Sequence, residues 1–213
     1  MDKLNAEDIK EILITTRDLM VENEQYLFKL DSVMGDGDLG ITMKKGFTKI
    51  AETLSSIQEE DIGKVLLKAA MTITSTSPGT MGTLMGTGLM RAGKASMGES
   101  QVDLNQLAGM MDSFVQGIME RGRSRPGDRT IIDSLYPAVK SLKESARESL
   151  GLKEAFNLAY QQSKKGLQST KKMSPAHGKA MYHKQHAADT EDPGAAAGML
   201  LVKGFNDYIS KKY

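Results

Sequence analysis

Asp31, Asp36 and Asp38 share the segment Leu30-Asp31-Ser32-Val33-Met34-Gly35-Asp36-Gly37-Asp38-Leu39-Gly40, interleaved with three glycines. Aspartate is a short, rigid oxygen ligand, and Mg²⁺ favours a few carboxylates, retained waters and substrate phosphates over a closed protein cage. Without a cation, two such charges about 5 Å apart repel by roughly 3 kcal/mol at an effective dielectric near 20, and by under about 1 kcal/mol when fully solvated. Spacing alone therefore leaves two readings open, a hard-cation loop and a solvated polar turn. An EF-hand is excluded, because counting from Asp36 puts Ile41 where the glycine belongs and Phe47 where the glutamate belongs.

Three further segments carry chemistry. Ser75-Thr76-Ser77-Pro78-Gly79-Thr80-Met81-Gly82-Thr83 has the glycines and hydroxyls that let main-chain N–H groups converge on an anion ahead of a helix. The same glycines also suit a helix packed closely on a neighbour. Just beyond, Gly88 to Ala95 imitates a Walker A loop, but Ala95 cannot ligate Mg²⁺ and no strand precedes it. Arg121 to Thr130 is a basic, glycine-containing turn that could neutralise phosphates, and its Asp128 is placed to cap the following helix. Between Lys171 and Pro193 lie His177, Lys179, His183, His186, Asp189, Glu191 and Asp192. These histidines make a poor zinc set, with no cysteine and no defined third ligand.

The elements that must position these residues read as helices. Ile9, Ile12, Leu13, Thr16 and Met20 share a face, as do Phe47, Ile50, Leu54 and Ile57, and then Ile62, Val65, Leu66, Ala69 and Ile73. The pattern returns at 104–118, 131–142, 152–159 and 197–208, with a glycine-rich helix at about 81–96. The row Gly82, Gly86, Gly88 and Gly93 implies that something approaches that helix closely. No alternation of period two supports a strand. The expectation is an all-α chain, one domain over residues 1–213, with about eight antiparallel amphipathic helices in a closed up-and-down bundle. Ser75 to Thr80 and Lys171 to Pro193 are the two irregular stretches, and the methionines, Met81, Met85, Met90, Met110 and Met111 among them, read as core filler.

Composition narrows the partners. The 213 residues carry 28 basic and 27 acidic side chains, so no basic footprint points to nucleic acid or an anionic membrane. There is no cysteine, no signal-like leader and no apolar run of membrane-spanning length, which fits a soluble cytoplasmic protein.

Taken in order, these motifs resemble the L subunit of dihydroxyacetone kinases. The resemblance rests on Asp31 with Gly35-Asp36-Gly37-Asp38-Leu39-Gly40-Ile41-Thr42-Met43, the glycine and threonine loop from Gly79 to Thr87, Pro126-Gly127-Asp128-Arg129-Thr130 with Asp133, and Asp192-Pro193-Gly194-Ala195. It implies an eight-helix barrel that binds ADP or ATP at one rim through two Mg²⁺ ions. By motif, Asp31, Asp36 and Asp38 would be the metal ligands. Leu39, Gly40, Ile41, Thr42, Gly79, Thr80, Met81, Gly82, Arg129, Thr130, Lys179, Asp192, Pro193 and Gly194 would surround the nucleotide. Lys179 and Arg129 would be the catalytic cations. The family's chemistry implies a ketose-binding K subunit as partner and either ATP or a phosphotransferase-system protein as phosphoryl donor. The other reading is a nucleotide-binding regulatory or scaffold module without turnover. This sequence departs from the family pattern at Leu39, where histidine is typical, and at Met81, where serine is usual. Lys179 stands for arginine and Arg129 for lysine, exchanges that keep charge but not geometry.

Overall fold

Each apolar stripe buries its face against two neighbours, and the stripes close into a ring. In the computed structural model, which describes residues 2–177, 181 and 189–213, nine α-helices are present among the described residues. They are α1 (Ala6–Glu22), α2 (Glu24–Asp31), α3 (Leu39–Ser55), α4 (Ile62–Thr76), α5 (Thr80–Ala95), α6 (Leu104–Gly122), α7 (Ile132–Arg147), α8 (Leu152–Ser169) and α9 (Pro193–Lys212). A 3₁₀ turn, Thr170–Lys172, extends α8. Sequence neighbours from α3 to α9 pack in order, α9 packs on α1, and α1 packs on α3, so eight helices form a closed ring with α2 outside it. No helix among the described residues is long and apolar enough to cross a membrane.

The inward faces make one continuous apolar core, with Ile12, Met43, Phe47, Ile73, Ile118, Leu135 and Phe156 all essentially inaccessible. The Phe156 and Phe205 rings stack at 5.4 Å between α8 and α9. Met85, Met110 and Met111 line a small apolar void of about 50 Å³, the filler role expected of a flexible thioether. Met90 is exposed instead. The glycine row does permit close approach: a β-carbon at Gly86 would lie 2.0 Å from the Thr74 hydroxyl on α4, and one at Gly88 would lie 2.8 Å from the Phe114 ring on α6.

Three expectations need correction. A two-stranded antiparallel sheet does exist, with β1 (Leu4–Asn5) pairing Leu4 with Val102 of β2 (Gln101–Val102); strands of two residues are too short to show alternation. The loop expected at Ser75 to Thr80 shrinks to Ser77–Gly79, because Ser75 and Thr76 complete α4. The helix α2 is additional, set off from α1 at Asn23.

Helix ends differ between the two rims. On the rim away from the aspartates, Asn5 and Asp8 form a capping box on α1, Asp103 and Gln106 form one on α6, and Asp61 caps α4, while α8 starts at Gly151 with no side-chain cap. Up-and-down order puts the starts of α3, α5, α7 and α9 on the opposite rim. There the N-cap residues of α3 and α5, Asp38 and Gly79, make no side-chain cap bond.

Candidate functional site

The aspartate loop is folded around its own first residue. Asp31 ends α2, its carbonyl accepts from the Gly35 N–H at 2.6 Å, and its Oδ2 accepts from the Leu39 N–H at 3.2 Å. A β-carbon at Gly35 would sit 2.2 Å from Asp31 Oδ1, and Gly37 takes a φ of +71°, so the two glycines meet different demands of one tight turn. The result gathers the three carboxylates: one oxygen from each of Asp31, Asp36 and Asp38 lies within 4.8 Å of the others. Burial raises the Asp31 pKa above its ordinary value; the Leu39 N–H works against this, and the Asp36 and Asp38 charges add to it.

These carboxylates form one edge of an open cleft of about 430 Å³. Leu39 and Thr42 from the start of α3, Gly79, Thr80 and Met81 from the start of α5, and Pro193 and Gly194 from the start of α9 line the rest. The N-cap residues of α3 and α5 make no side-chain bond, and although Asp31 takes the first N–H of α3, the positive ends of both helices lie at a concave, partly solvated space. An all-oxygen, partly exposed carboxylate set beside anion-accepting helix ends has the donor chemistry of a Mg²⁺ site that shares its ion with a ligand phosphate.

Other residues singled out in the sequence lie behind or beside this wall. Gly40 packs against the Glu24 carbonyl of α2 and Gly82 against the Ser77 carbonyl, whereas Ile41 points away and is 56% exposed. Lys179, with His183 and His186, falls outside the described residues. Arg129 is only 2% exposed and holds a left-handed φ of 60°. Its Nε donates to the Thr170 carbonyl at 3.1 Å, Nη2 to the Thr190 carbonyl at 2.9 Å, and Nη1 to the Met34 thioether at 3.4 Å. Arg129 thus braces the aspartate loop, the end of α8 and the approach to α9 from behind the cleft. Burial lowers its pKa, and the Asp192 charge offsets that in part.

Asp192 caps α9 by accepting from the Ala195 N–H at 2.7 Å, with Pro193 next in the first turn. Burial pushes its pKa up to about 7, against the Ala195 N–H and the Arg129 charge, which lower it. Asp128, expected as the cap of α7, has another task. It accepts from the Arg125 N–H at 2.9 Å and pairs with His177 Nε2 at 3.0 Å, while Asp133 takes the N–H groups of Gly127 and Thr130. Desolvation pulls the Asp128 pKa up, but the Arg125 N–H and then His177 outweigh it and leave the carboxyl below its ordinary value.

Residues 33–207 match the family model described as DAK2 domain. The chain belongs to the DAK2-domain family. It is 33% identical to the ADP-binding subunit of the PEP-dependent dihydroxyacetone kinase of Escherichia coli, over 87% of this chain and 89% of that one. It is also 31% identical to the corresponding subunit of PEP-dependent dihydroxyacetone kinase 1 of Listeria innocua, over 84% and 85%. An L-erythrulose kinase of Pectobacterium atrosepticum is 28% identical over 94% of this chain but only 34% of its own length. Among solved structures, the native dihydroxyacetone kinase of C. freundii superimposes with a TM-score of 0.74 at 23% identity, covering 96% of this chain. The same enzyme with AMP-PNP and Mg²⁺ gives 0.71. This chain spans about a third of those solved chains, and at such identity the likeness shows the fold.

Within this DAK2 domain, three cleft residues were not marked as site residues by motif: Met34, Gly35 and His177. Gly35 carried a legible signal, since it sits inside the aspartate segment. Met34 gave none, because its role comes from packing beneath Arg129. His177 stood out by residue type, but only its pairing with Asp128 explains why it reaches the cleft.

Proposed function

We propose that this chain is the ADP- or ATP-binding, Mg²⁺-dependent phosphotransferase subunit of a kinase for dihydroxyacetone or a related short ketose such as a tetrulose. The observation that carries the reading is the gathering of three carboxylates within 4.8 Å at the edge of a cleft built from the starts of α3, α5 and α9. Asp31, Asp36 and Asp38 would hold two Mg²⁺ ions, which would neutralise nucleotide phosphates and fix their orientation. The N–H groups opening α5 would meet phosphate oxygens, and Thr42 and Thr80 would add hydroxyl donors. Lys179 and Arg129 are assigned the cationic roles. Lys179 would stand at the transferring group, and Arg129 is committed to holding the wall in shape.

Phosphoryl transfer needs alignment and charge neutralisation more than covalent help, so no nucleophile is required of this chain. The bond from the γ-phosphorus to the β-phosphate oxygen breaks as a bond to the ketose hydroxyl oxygen forms. The hydroxyl proton passes to a base on a separate K subunit that holds the ketose. The donor is ATP itself or a phosphotransferase-system protein that rephosphorylates bound ADP, the second being in line with the PEP-dependent relatives. The cytoplasm is the compartment in which such donors are found.

The test is direct. The protein is purified with Mg²⁺ and denatured, and the released nucleotide is identified by mass. ADP or ATP in stoichiometric amount is expected. Recovering none, together with no thermal shift on adding Mg²⁺ with ADP or ATP, would sink the proposal. Adding a K subunit with dihydroxyacetone or erythrulose, with or without a phosphorylated donor protein, then assigns acceptor and donor.

A further inference from the structure

The helix that ends in Asp31 is the one least secured by the core. In α2 only Leu27 is buried, and the helix lies outside the ring. An ion pair from Lys44 to Glu24 at 3.0 Å ties it to α3. On its other side Tyr26 donates its hydroxyl to Oε2 of Glu191. The second oxygen of that carboxylate accepts from Gln168 Nε2 of α8 at 2.5 Å and faces Lys171 Nζ at 3.5 Å. One carboxylate therefore joins α2, the end of α8 and the segment that leads into α9.

We propose that Glu191 is a positioning residue that, through Tyr26, fixes the spacing between the metal-ligand edge of the cleft and its α9 edge. Its neighbours in the chain explain the reach of such a strap. Thr190 receives Arg129, and Asp192 caps α9 and precedes Pro193 and Gly194 in the cleft wall. On the other side, Tyr26 lies five residues before Asp31, which is about 7.5 Å along a helix axis. A hydroxyl-to-carboxylate bond is short and strong enough to set this distance. Burial and the Glu191 charge both raise the Tyr26 pKa, so the phenol remains the donor at any physiological pH.

The consequence for binding rests on the nucleotide reading above. A nucleotide must reach the carboxylates through its metal while its other parts touch the α9 edge, so loosening the strap weakens the metal-bridged complex. Y26F, E191A and the double variant are compared with the wild type for the Mg²⁺ concentration that half-saturates ADP binding. Each single change is expected to raise it about tenfold, with no further loss in the double variant, the pattern of one shared interaction. A lower melting temperature with unchanged Mg²⁺ dependence in all three would reduce the pair to a structural contact and overturn the proposal.

Amide hydrogen exchange on the nucleotide-free protein judges the strap without any ligand. Exchange should rise in both 24–38 and 189–197 whichever partner is removed. A rise confined to the mutated segment overturns the proposal. Failure of the wild type to bind ADP would refute the nucleotide reading, while the exchange experiment would still decide the strap.

Discussion

Asp38→Asn separates a metal ligand from a structural carboxylate. The Asp38 carboxylate makes no cap bond on α3, and its oxygen lies within 4.8 Å of both Asp31 and Asp36. At that distance each pair repels by about 0.9 kcal/mol at the dielectric of water and by about 3 kcal/mol at an effective dielectric of 20. Asp36 and Asp38 are exposed, so the lower figure applies, and two pairs give about 2 kcal/mol. Loss of a negative charge at the start of α3 takes back roughly 0.3 to 1 kcal/mol. The net gain of about 1 kcal/mol in chelator and low salt corresponds to a rise of about 2 to 4 °C in melting temperature for a chain this long. Wild-type protein with Mg²⁺ and ADP at about a hundred times Kd should gain about 2.7 kcal/mol, and the variant should lose most of that gain. Thermal melts in chelator and in Mg²⁺ with ADP, each at low and high salt, measure both effects. A variant less stable than wild type in chelator at low salt, with its ligand-induced shift intact, would refute the argument and leave the loop a polar turn.

Two glycines that look alike in sequence should behave oppositely. Gly86→Ala places a methyl 2.0 Å from the Thr74 hydroxyl and should destabilise by about 1 to 3 kcal/mol in urea unfolding, whereas Gly79 has open space around it. Gly79→Ala should therefore keep the stability within about 0.5 kcal/mol and weaken ADP binding in calorimetry if a phosphate approaches that backbone. The cap of α9 should give a pH signature. The Asp192 pKa is raised to about 7 in the folded protein, so the proton favours the native state. Its stabilisation is complete below the ordinary carboxylate value near 3.9 and is lost as pH rises from there through about 7. Asp192→Asn keeps an acceptor for the Ala195 N–H and should flatten the fall in urea midpoint between pH 5 and pH 8; an unchanged fall would assign it to other groups.

The ring was legible because burial dictated its pattern. Residues such as Ile62, Val65, Leu66, Ala69 and Ile73 repeat at helical spacing since every helix turns one face to the same core. The small helix α2 escaped that logic, as one buried leucine in eight residues leaves no stripe to read. The three aspartates were visible as a set, yet their convergence depends on the Asp31 carbonyl and the Gly37 turn, which are matters of geometry. Arg129 shows the limit most clearly. A basic turn suggests cations reaching outward, but acceptors on three separate segments hold this guanidinium inside. Asp128 is not the expected cap for a similar reason: that Asp133 instead meets the Gly127 and Thr130 N–H groups depends on the path of the turn.

Topology and chemistry meet at the rim. Alternation up and down a closed ring of eight helices puts four helix starts at the same end, each with roughly half a positive charge that falls off within a turn. On the far rim side chains at Asn5, Asp61 and Asp103 quench it and α8 starts uncapped, whereas on this rim Asp192 caps α9 and the N-cap residues of α3 and α5 make no such bond. That end of the barrel therefore favours an anion. The aspartate loop at the same rim does the reverse, since a bare di- or triphosphate would be set against three carboxylates. A polyphosphate with its divalent cation would satisfy both halves, the cation held by Asp31, Asp36 and Asp38 and the phosphates by the helix starts, that of α5 above all. Leu39 and Met81 line the cleft as apolar side chains, so the helix ends and the carboxylates, rather than side chains at those two positions, would carry the recognition of charge.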